Sequence, residues 1–265
     1  MNKLAVITGA SSGIGFELAH VFAKNGFDLI INSEASEKLH EKAILLRKQG
    51  VEVTEVVADL AIREGVDELY RQINTTGRTI DSLVLNAGVG VGGDFATTSF
   101  EDELYLMNLN VVNTVYLAKK VLKDMVSRNE GRILITSSIA GKMPGPYYAV
   151  YAASKAFLQS FSEALYYEMK DLKRNITVTA LQPGATDTEF FARAGMLDTK
   201  AGESKKADPA KVAQDGYDAL MAGKDHVVSG VLNKIKVSGG ELMTEQMTAS
   251  AHAALTKPHS LDSQP

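Results

Sequence analysis

The fold is decided near the start of the chain by the stretch LAVITGASSGIG, residues 4–15. Residues 4–7 are apolar and predict a buried strand, whereas residues 13–25 carry apolar side chains at helical spacing. Between them, three glycines stand in the spacing G-x-x-x-G-x-G, one residue longer than the common dinucleotide-binding pattern. These glycines are Gly9, Gly13 and Gly15. Glycine at such a turn lets a ligand approach the backbone closely.

This turn predicts a site for a pyrophosphate group. A helix that begins just after a strand presents unpaired N–H groups and the positive end of its dipole to an anion. The alternative is a glycine-rich turn without a ligand, which the position between a strand and a helix disfavours. No Gly-Lys-Ser/Thr follows, so the turn is not a nucleoside-triphosphate loop. The turn residues expected to contact the anion are Gly9, Ser11, Ser12, Gly13, Ile14 and Gly15.

The rest of the chain alternates short apolar runs with longer amphipathic stretches. This order is typical of βαβ units. We therefore expect an α/β protein with a single Rossmann-type domain over residues 1–256, a doubly wound parallel sheet of about seven strands with helices on both faces. Residues 257–265 are polar and predict a flexible tail. Strands are expected at 4–7, 28–31, 52–57, 82–85, 132–136, 176–181 and 227–228, and helices at 13–25, 36–49, 63–74, 100–127, 148–170 and 208–223.

Composition excludes several kinds of chemistry. The 265 residues include no cysteine, which excludes disulfides, a cysteine nucleophile and thiolate metal sites. The five histidines do not stand at metal-ligand spacing, so no metal site is expected. With 28 Lys and Arg against 32 Asp and Glu, no nucleic-acid partner is expected. No apolar run approaches the ~18 residues of a membrane helix, so we expect a cytoplasmic protein without a membrane partner.

Polar groups follow two of the predicted strands, where ligands of parallel sheets bind. Asp59 and Leu60 follow the third strand, and Asn86, Ala87 and Gly88 follow the fourth. Asp59 could accept a hydrogen bond from an adenine amino group or cap the helix near residue 62, and the sequence leaves both open. Asn86 could line a cofactor channel or satisfy the loop backbone.

Tyr151 and Lys155 stand four residues apart in a predicted helix and therefore share a face. A neighbouring cation lowers the pKa of a phenol from its ordinary value near ~10. Such a pair could move a proton on or off an alcohol oxygen. A surface pair is the alternative, because both residue types are common. Ser138 follows the fifth strand and could hold a substrate oxygen.

Together these features make the chain resemble the short-chain dehydrogenase/reductase family over about residues 3–230. One position departs from the family pattern: two asparagines usually precede Ala-Gly, whereas this chain has Leu85 and Asn86. The matching residues, in family order, are Thr8, Gly9, Gly13, Gly15, Asp59, Asn86, Ala87, Gly88, Asn110, Ser138, Tyr151, Lys155, Pro183 and Gly184.

The resemblance implies a role for each matched residue. Tyr151 would be the general acid/base, and Lys155 would lower its pKa and bind the nicotinamide ribose. Ser138 would orient the substrate oxygen, and Asn110 would support a water relay from Lys155. The residues expected to bind the cofactor are Gly9, Ser11, Ser12, Gly13, Ile14, Gly15, Ser33, Glu34, Asp59, Leu60, Asn86, Ala87, Gly88, Tyr151, Lys155, Pro183, Gly184, Thr186 and Thr188.

The end of the second strand favours NAD(H) as the cofactor. No basic residue stands between 25 and 37, and Glu34 would repel a 2′-phosphate while accepting from a 2′-hydroxyl. NADP(H) stays possible, because Asn32 and Ser33 could hold a phosphate with Lys38 nearby.

The function expected is hydride transfer between a nicotinamide cofactor and a small-molecule alcohol or ketone. A non-catalytic nucleotide-sensing or scaffold protein of the same fold is the alternative, and it predicts loss of the Tyr, Lys or Ser. A sugar-nucleotide epimerase would need a longer substrate domain. The residues expected around the substrate are Val89, Val91, Met143, Pro144, Tyr147, Tyr148, Phe190, Phe191, Met196 and Leu197, with Lys142 and Arg193 as anchors.

The family resemblance also implies a homodimer or homotetramer. Its interface would be formed by the two long helices, 100–127 and 148–170, which carry more apolar residues than one sheet-facing stripe needs. Those residues are Leu104, Met107, Val111, Val115, Phe157, Phe161, Leu165 and Met169.

Overall fold

A parallel sheet forms the centre of the computed structural model, which describes residues 2–230, 233 and 244–263. The seven strands of this described part lie in the order β3-β2-β1-β4-β5-β6-β7. The winding direction therefore reverses next to β1, which confirms the predicted doubly wound α/β fold. The strands are β1 (Leu4–Thr8), β2 (Asp28–Ser33), β3 (Val53–Val57), β4 (Ser82–Leu85), β5 (Gly131–Thr136), β6 (Ile176–Gln182) and β7 (His226–Val228).

Helices cover both faces of the sheet. The helices are α1 (Gly13–Lys24), α2 (Ser36–Arg47), α3 (Arg63–Thr75), α4 (Phe100–Met107), α5 (Asn113–Arg128), α6 (Ala149–Asp171), α7 (Phe190–Arg193), α8 (Lys200–Glu203), α9 (Pro209–Met221) and α10 (Glu245–Thr256). Apolar residues of α3, α5 and α6 pack on one face, and those of α1, α2 and α9 pack on the other.

Burial on both faces explains why residues 4–7 of β1 are all apolar. Successive side chains of a strand point to opposite faces. Val6 belongs to the core under α3, α5 and α6, whereas Ala5 and Ile7 belong to the core under α1, α2 and α9. The glycine turn that follows β1 is therefore held by a strand fixed on both sides.

The predicted helix at 100–127 was wrong in one detail. Helices α4 and α5 are joined by one π-helical turn, Asn108–Val112. Asn110 lies in this turn, where its Nδ2 donates to the carbonyl of Val89 at 2.9 Å and its Oδ1 accepts from the Val89 N–H at 3.0 Å. π-Helical turns are frequent at functional sites. The sequence did not predict this one because its partner lies 21 residues away in the chain.

The C-terminal helix α10 lies against the loop that precedes α6. Thr256 Oγ1 donates to the carbonyl of Pro146 at 2.8 Å. A short 3₁₀ helix (His259–Ser263) follows, and the N–H groups of His259 and Ser260 donate to Asp198 at 3.1 and 3.0 Å. Residues 264 and 265 of the predicted tail lie outside the described residues, as do 1, 231–232 and 234–243 of the predicted domain. The domain limits and the flexibility of the tail stay predictions.

No helix in the described ranges is both long and apolar enough to cross a membrane.

Candidate active site

A cavity of about 760 Å³ lies along the carboxyl ends of the strands and extends to α10. It brings together the glycine turn, the ends of β2, β3 and β4, and residues of α6. Ser138, Tyr151 and Lys155 line it, as do all the residues predicted to bind a cofactor. Among the predicted catalytic and cofactor-binding residues, Asn110 alone does not line it, because Asn110 is fully buried behind the wall.

The glycine turn has a conformation and an interior that only glycine suits. Gly9 and Gly13 have φ of +69° and +54°, in the left-handed region. A Cβ on Gly15 would lie 2.0 Å from the carbonyl oxygen of Gly9 and 2.5 Å from Asn86 Nδ2. The first turn of α1 carries no acidic residue and receives no side-chain cap from Ser12. Its N–H groups therefore fit an anionic pyrophosphate.

Two serines connect this turn to the end of β2. Ser33 Oγ donates to Ser11 Oγ at 2.8 Å, and the N–H of Ala35 donates to Ser33 Oγ at 3.2 Å. Glu34 follows, is exposed and lines the cavity. Glu34 therefore lies at the same end of the cavity as the hydrogen-bonded side chains of Ser11 and Ser33.

A tyrosine that the sequence did not indicate joins two carboxylates at this end. The hydroxyl oxygen of Tyr105, in α4, lies 3.2 Å from Glu34 Oε2 and 3.2 Å from Asp59 Oδ1. Burial foremost, and then the two carboxylates, raise the pKa of Tyr105 far above its ordinary value. The neutral phenol has one proton, so it donates to one carboxylate at a time.

Asp59 lines the cavity, and its Oδ1 accepts from the Ala61 N–H at 2.7 Å. The helix cap was predicted wrongly, because Ile62 is the N-cap of α3 and no described side chain caps that helix. The contact with an adenine amino group stays a prediction.

Asn86 lines the cavity and bonds to the backbone, while its place in a cofactor channel stays a prediction. Its Oδ1 accepts from Thr136 Oγ1 at 3.1 Å and its Nδ2 donates to the carbonyl of Thr8 at 3.3 Å, so one amide ties together β1, β4 and β5 at the cavity wall.

Ser138 and Tyr151 meet at the other end of the cavity. The Ser138 hydroxyl accepts from the Ala140 N–H at 3.1 Å and lies 3.3 Å from the carbonyl of Pro183. Burial raises the pKa of Tyr151 to about 12, and a hydrogen bond from Ser138 opposes that rise. Tyr151 is therefore a neutral phenol at neutral pH in the chain without ligands.

Lys155 lies beside the ring of Tyr151 in a buried position. Its Nζ is 5.7 Å from the ring centroid and donates to the carbonyl of Thr136 at 2.9 Å. Burial lowers the pKa of Lys155 to about 8. Burial and the Ser138 hydrogen bond are the causes that set the pKa of Tyr151 in the chain alone, so its lowering by Lys155 stays a prediction. Thr136 was missed because its contribution is a backbone carbonyl, which carries no sequence signal.

Asn110 and Lys155 approach each other around Gly88. A Cβ on Gly88 would lie 3.0 Å from Asn110 Oδ1 and 3.5 Å from Lys155 Nζ. Asn110 Nδ2 also donates to Ser154 Oγ at 3.1 Å, which ties the π-helical turn to α6. Asn110 is therefore fixed behind Lys155, with Gly88 between the two.

The substrate side of the cavity differs in part from the prediction. Six of the residues expected there line the cavity: Val89, Tyr148, Phe190, Phe191, Arg193 and Met196. The other six do not, and their placement was predicted wrongly: Val91, Lys142, Met143, Pro144, Tyr147 and Leu197. Leu197, for example, is 58% exposed, and Lys142 lies 3.9 Å from Glu163.

Helix α10 supplies wall residues that the sequence did not indicate. They are His252, Leu255 and Thr256. His252 contacts Tyr148, which precedes it by 104 residues. A single sequence offers no local pattern for a contact across that separation.

This arrangement, a cavity of about 760 Å³ at the winding reversal of a parallel sheet, is that of a nucleotide-binding protein of the Rossmann type. Residues 3–196 match the family model described as short chain dehydrogenase. The chain belongs to that family.

Known proteins agree with this assignment. The chain is 32% identical over 244 residues to the Dehydrogenase/reductase SDR family protein 7-like of Drosophila melanogaster, covering 88% of this chain and 74% of the relative. A short-chain dehydrogenase from Sphingobium yanoikuyae in complex with NADPH superposes with a TM-score of 0.79 at 27% identity, covering 94% of this chain and 95% of that one. A short chain dehydrogenase/reductase from Burkholderia phymatum in complex with NAD gives 0.81 at 26%, covering 89% and 92%.

Proposed function

We propose that the protein transfers a hydride between NAD(H) and a small-molecule alcohol or ketone, with Ser138, Tyr151, Lys155 and Asn110 as its catalytic set. The observation that carries this proposal is the meeting of Ser138 and Tyr151 in the cavity that also holds the glycine turn. The non-catalytic alternative has less support, because the Ser, Tyr and Lys whose loss it predicts are all present at the cavity wall.

The cofactor would be held along the whole cavity. The N–H groups at the start of α1 would bind its pyrophosphate, as the uncapped and non-acidic first turn favours. Glu34 and Asp59 would receive the adenosine, and Lys155 would bind the nicotinamide ribose. When bound, the nicotinamide supplies or accepts the hydride.

The side chains around the reacting carbon hold and move the proton. In ketone reduction, the Tyr151 hydroxyl donates its proton to the substrate oxygen, and in alcohol oxidation Tyr151 takes that proton back. Ser138, fixed by the Ala140 N–H, holds the same oxygen in place. The Lys155 cation favours the phenolate while it is protonated. Asn110 Oδ1 keeps one lone pair beyond its bond to Val89, which suits a water relay behind Lys155.

The proposed activity is tested with a panel of secondary alcohols and ketones, each assayed with NAD(H) and NADP(H) by nicotinamide absorbance. Turnover of any pair, with the purified protein and not with buffer, supports the proposal. Tight nicotinamide binding without turnover of any alcohol or ketone would instead favour the nucleotide-sensing alternative.

We expect Glu34→Gln to reduce the preference for NAD over NADP. The carboxylate repels a 2′-phosphate and accepts from a 2′-hydroxyl, so its removal should lower the ratio of kcat/KM for NAD to that for NADP by about 10- to 100-fold. Initial rates at varied concentrations of each cofactor measure that ratio. Glu37→Gln is the matched control, because Glu37 is an exposed carboxylate outside the cavity lining. A wild-type preference for NADP contradicts the argument.

A homodimer or homotetramer through α5 and α6 is part of the proposal. Val112, the last residue of the π-helical turn before α5, and Phe157 of α6 are 55% and 44% exposed. Met169, predicted at this interface, is instead buried within the protomer core. We expect light scattering to give a multiple of 28.5 kDa, and Phe157→Glu to shift that mass towards that of one chain. A monomeric wild type contradicts this interface.

Location in the cytoplasm stays a prediction.

A further inference from the structure

A tyrosine–histidine pair lies in the cavity wall beside Tyr151, and the proposed catalytic set does not use it. The Tyr148 hydroxyl is 2.7 Å from Nε2 of His252, which belongs to α10. Nδ1 of the same imidazole is 2.9 Å from the carbonyl oxygen of Pro144. Tyr148 and His252 both line the cavity. The pair therefore joins the loop before α6 to α10 at the substrate side.

While His252 is neutral, its hydrogen bonds fix the direction of the Tyr148 hydroxyl. A carbonyl oxygen only accepts, so the Pro144 carbonyl requires a proton on Nδ1. In the neutral imidazole the other nitrogen, Nε2, is then an acceptor, and the Tyr148 hydroxyl donates to it. The phenol has no second proton. Its remaining capacity is to accept a hydrogen bond, which a hydroxyl group of a ligand can donate.

Tyr148 stays neutral and lies beside the proton-transferring residue. Burial foremost raises the pKa of Tyr148 well above its ordinary value. Its ring stacks on that of Tyr151 with centroids 5.8 Å apart and planes 26° apart. The rings of Tyr148 and Tyr151 therefore lie side by side in the cavity wall. The other aromatic neighbour of Tyr151, Phe190, is apolar and lies 5.0 Å away between centroids.

We propose that Tyr148 binds a second hydroxyl group of the substrate, on the carbon next to the reacting one, and that His252 positions Tyr148 for this contact. The substrate class is then an α-hydroxy ketone, or the vicinal diol that its reduction yields. This inference rests on the proposed function. The apolar wall of the cavity would select the carbon skeleton of the substrate. The Tyr148 hydroxyl, as one fixed acceptor, would select its second hydroxyl group.

The test compares ketones that differ by this one hydroxyl: acetoin with butanone, and benzoin with deoxybenzoin. We expect the wild type to favour the hydroxy ketone of each pair in kcat/KM by about tenfold, the effect of one added hydrogen bond. Tyr148→Phe should abolish that preference by raising the KM of the hydroxy ketone. The kcat/KM values for butanone and deoxybenzoin should change little. His252→Ala should do the same, and His252→Gln, which retains an acceptor, should restore part of the preference.

The variant Thr256→Val distinguishes recognition of the substrate hydroxyl by Tyr148 from the anchoring of α10. Thr256 binds the same loop through Pro146 but does not contact Tyr148 through a hydrogen bond. We expect Thr256→Val to weaken both ketones of a pair equally. If Tyr148→Phe does the same, the Tyr148–His252 pair acts only by holding α10 and the inference is wrong. A wild type that turns over ketones without preferring the hydroxy member also overturns it. Inactivity towards all four ketones and the wider panel refutes the proposed function itself.

Discussion

Replacing Tyr151 with Phe is expected to lower kcat by about 10²–10⁴-fold, the usual contribution of a positioned general acid/base. Phenylalanine keeps the ring and removes only the hydroxyl that moves the proton. The ring contacts with Tyr148 and Phe190 should persist, so the cavity should keep its shape. Rates of ketone reduction and alcohol oxidation at saturating cofactor measure the loss, and titration with NADH should give a nearly unchanged Kd.

Tyr167→Phe is the matched control for this substitution. Tyr167 lies on the same helix, α6, and is 67% exposed, so removal of its hydroxyl should leave turnover unchanged. If Tyr151→Phe retains the wild-type rate, another group supplies the proton and the acid/base role is wrongly assigned. If it loses NADH binding as well as turnover, the loss has a structural cause.

The fold could be predicted from the sequence because both faces of the sheet are buried. Residues such as Val6 and Ile7 contribute to different cores, so β1 reads as a continuous apolar run bounded by a glycine turn. The repeated order of strand and helix then leaves few topologies. Helix ends could also be predicted from the sequence where a capping residue precedes the helix. Asp208 stands just before Pro209, where α9 begins, and caps this helix by accepting from the Ala210 N–H at 2.9 Å.

The site was predictable where function is tied to a local motif. Gly15 illustrates this, because its lack of a side chain is enforced by Gly9, six residues before it. Prediction failed where long-range packing decides. The π-helical turn depends on Val89, the Tyr148–His252 contact spans 104 residues, and Tyr105 meets Glu34 across 71. The protonation of Tyr151 also depends on burial, which a sequence motif does not measure.

Replacing Lys155 with Met is expected to lower turnover strongly and to make the folded protein more stable at neutral pH. Burial lowers the pKa of Lys155 from 10.5 to about 8, which means that its charged form is destabilised in the fold. That shift corresponds to about 3 kcal/mol at most, and loss of the bond to the Thr136 carbonyl offsets part of it, leaving about 1–3 kcal/mol in favour of the variant. Met has a similar length and no charge to bury.

The pH dependence separates this explanation from simple repacking. Below pH 8 Lys155 is protonated in both the folded and the unfolded chain, so the cost of burying its charge is fully present. Between pH 8 and 10.5 the folded chain releases this proton while the unfolded chain keeps it, and the wild type therefore gains stability as pH rises. Urea unfolding should show the advantage of Lys155→Met shrinking over this interval. Lys170→Met, at an exposed position of the same helix, should show no such trend. An advantage that stays constant with pH, or a variant less stable than the wild type at neutral pH, would contradict a buried charge at Lys155.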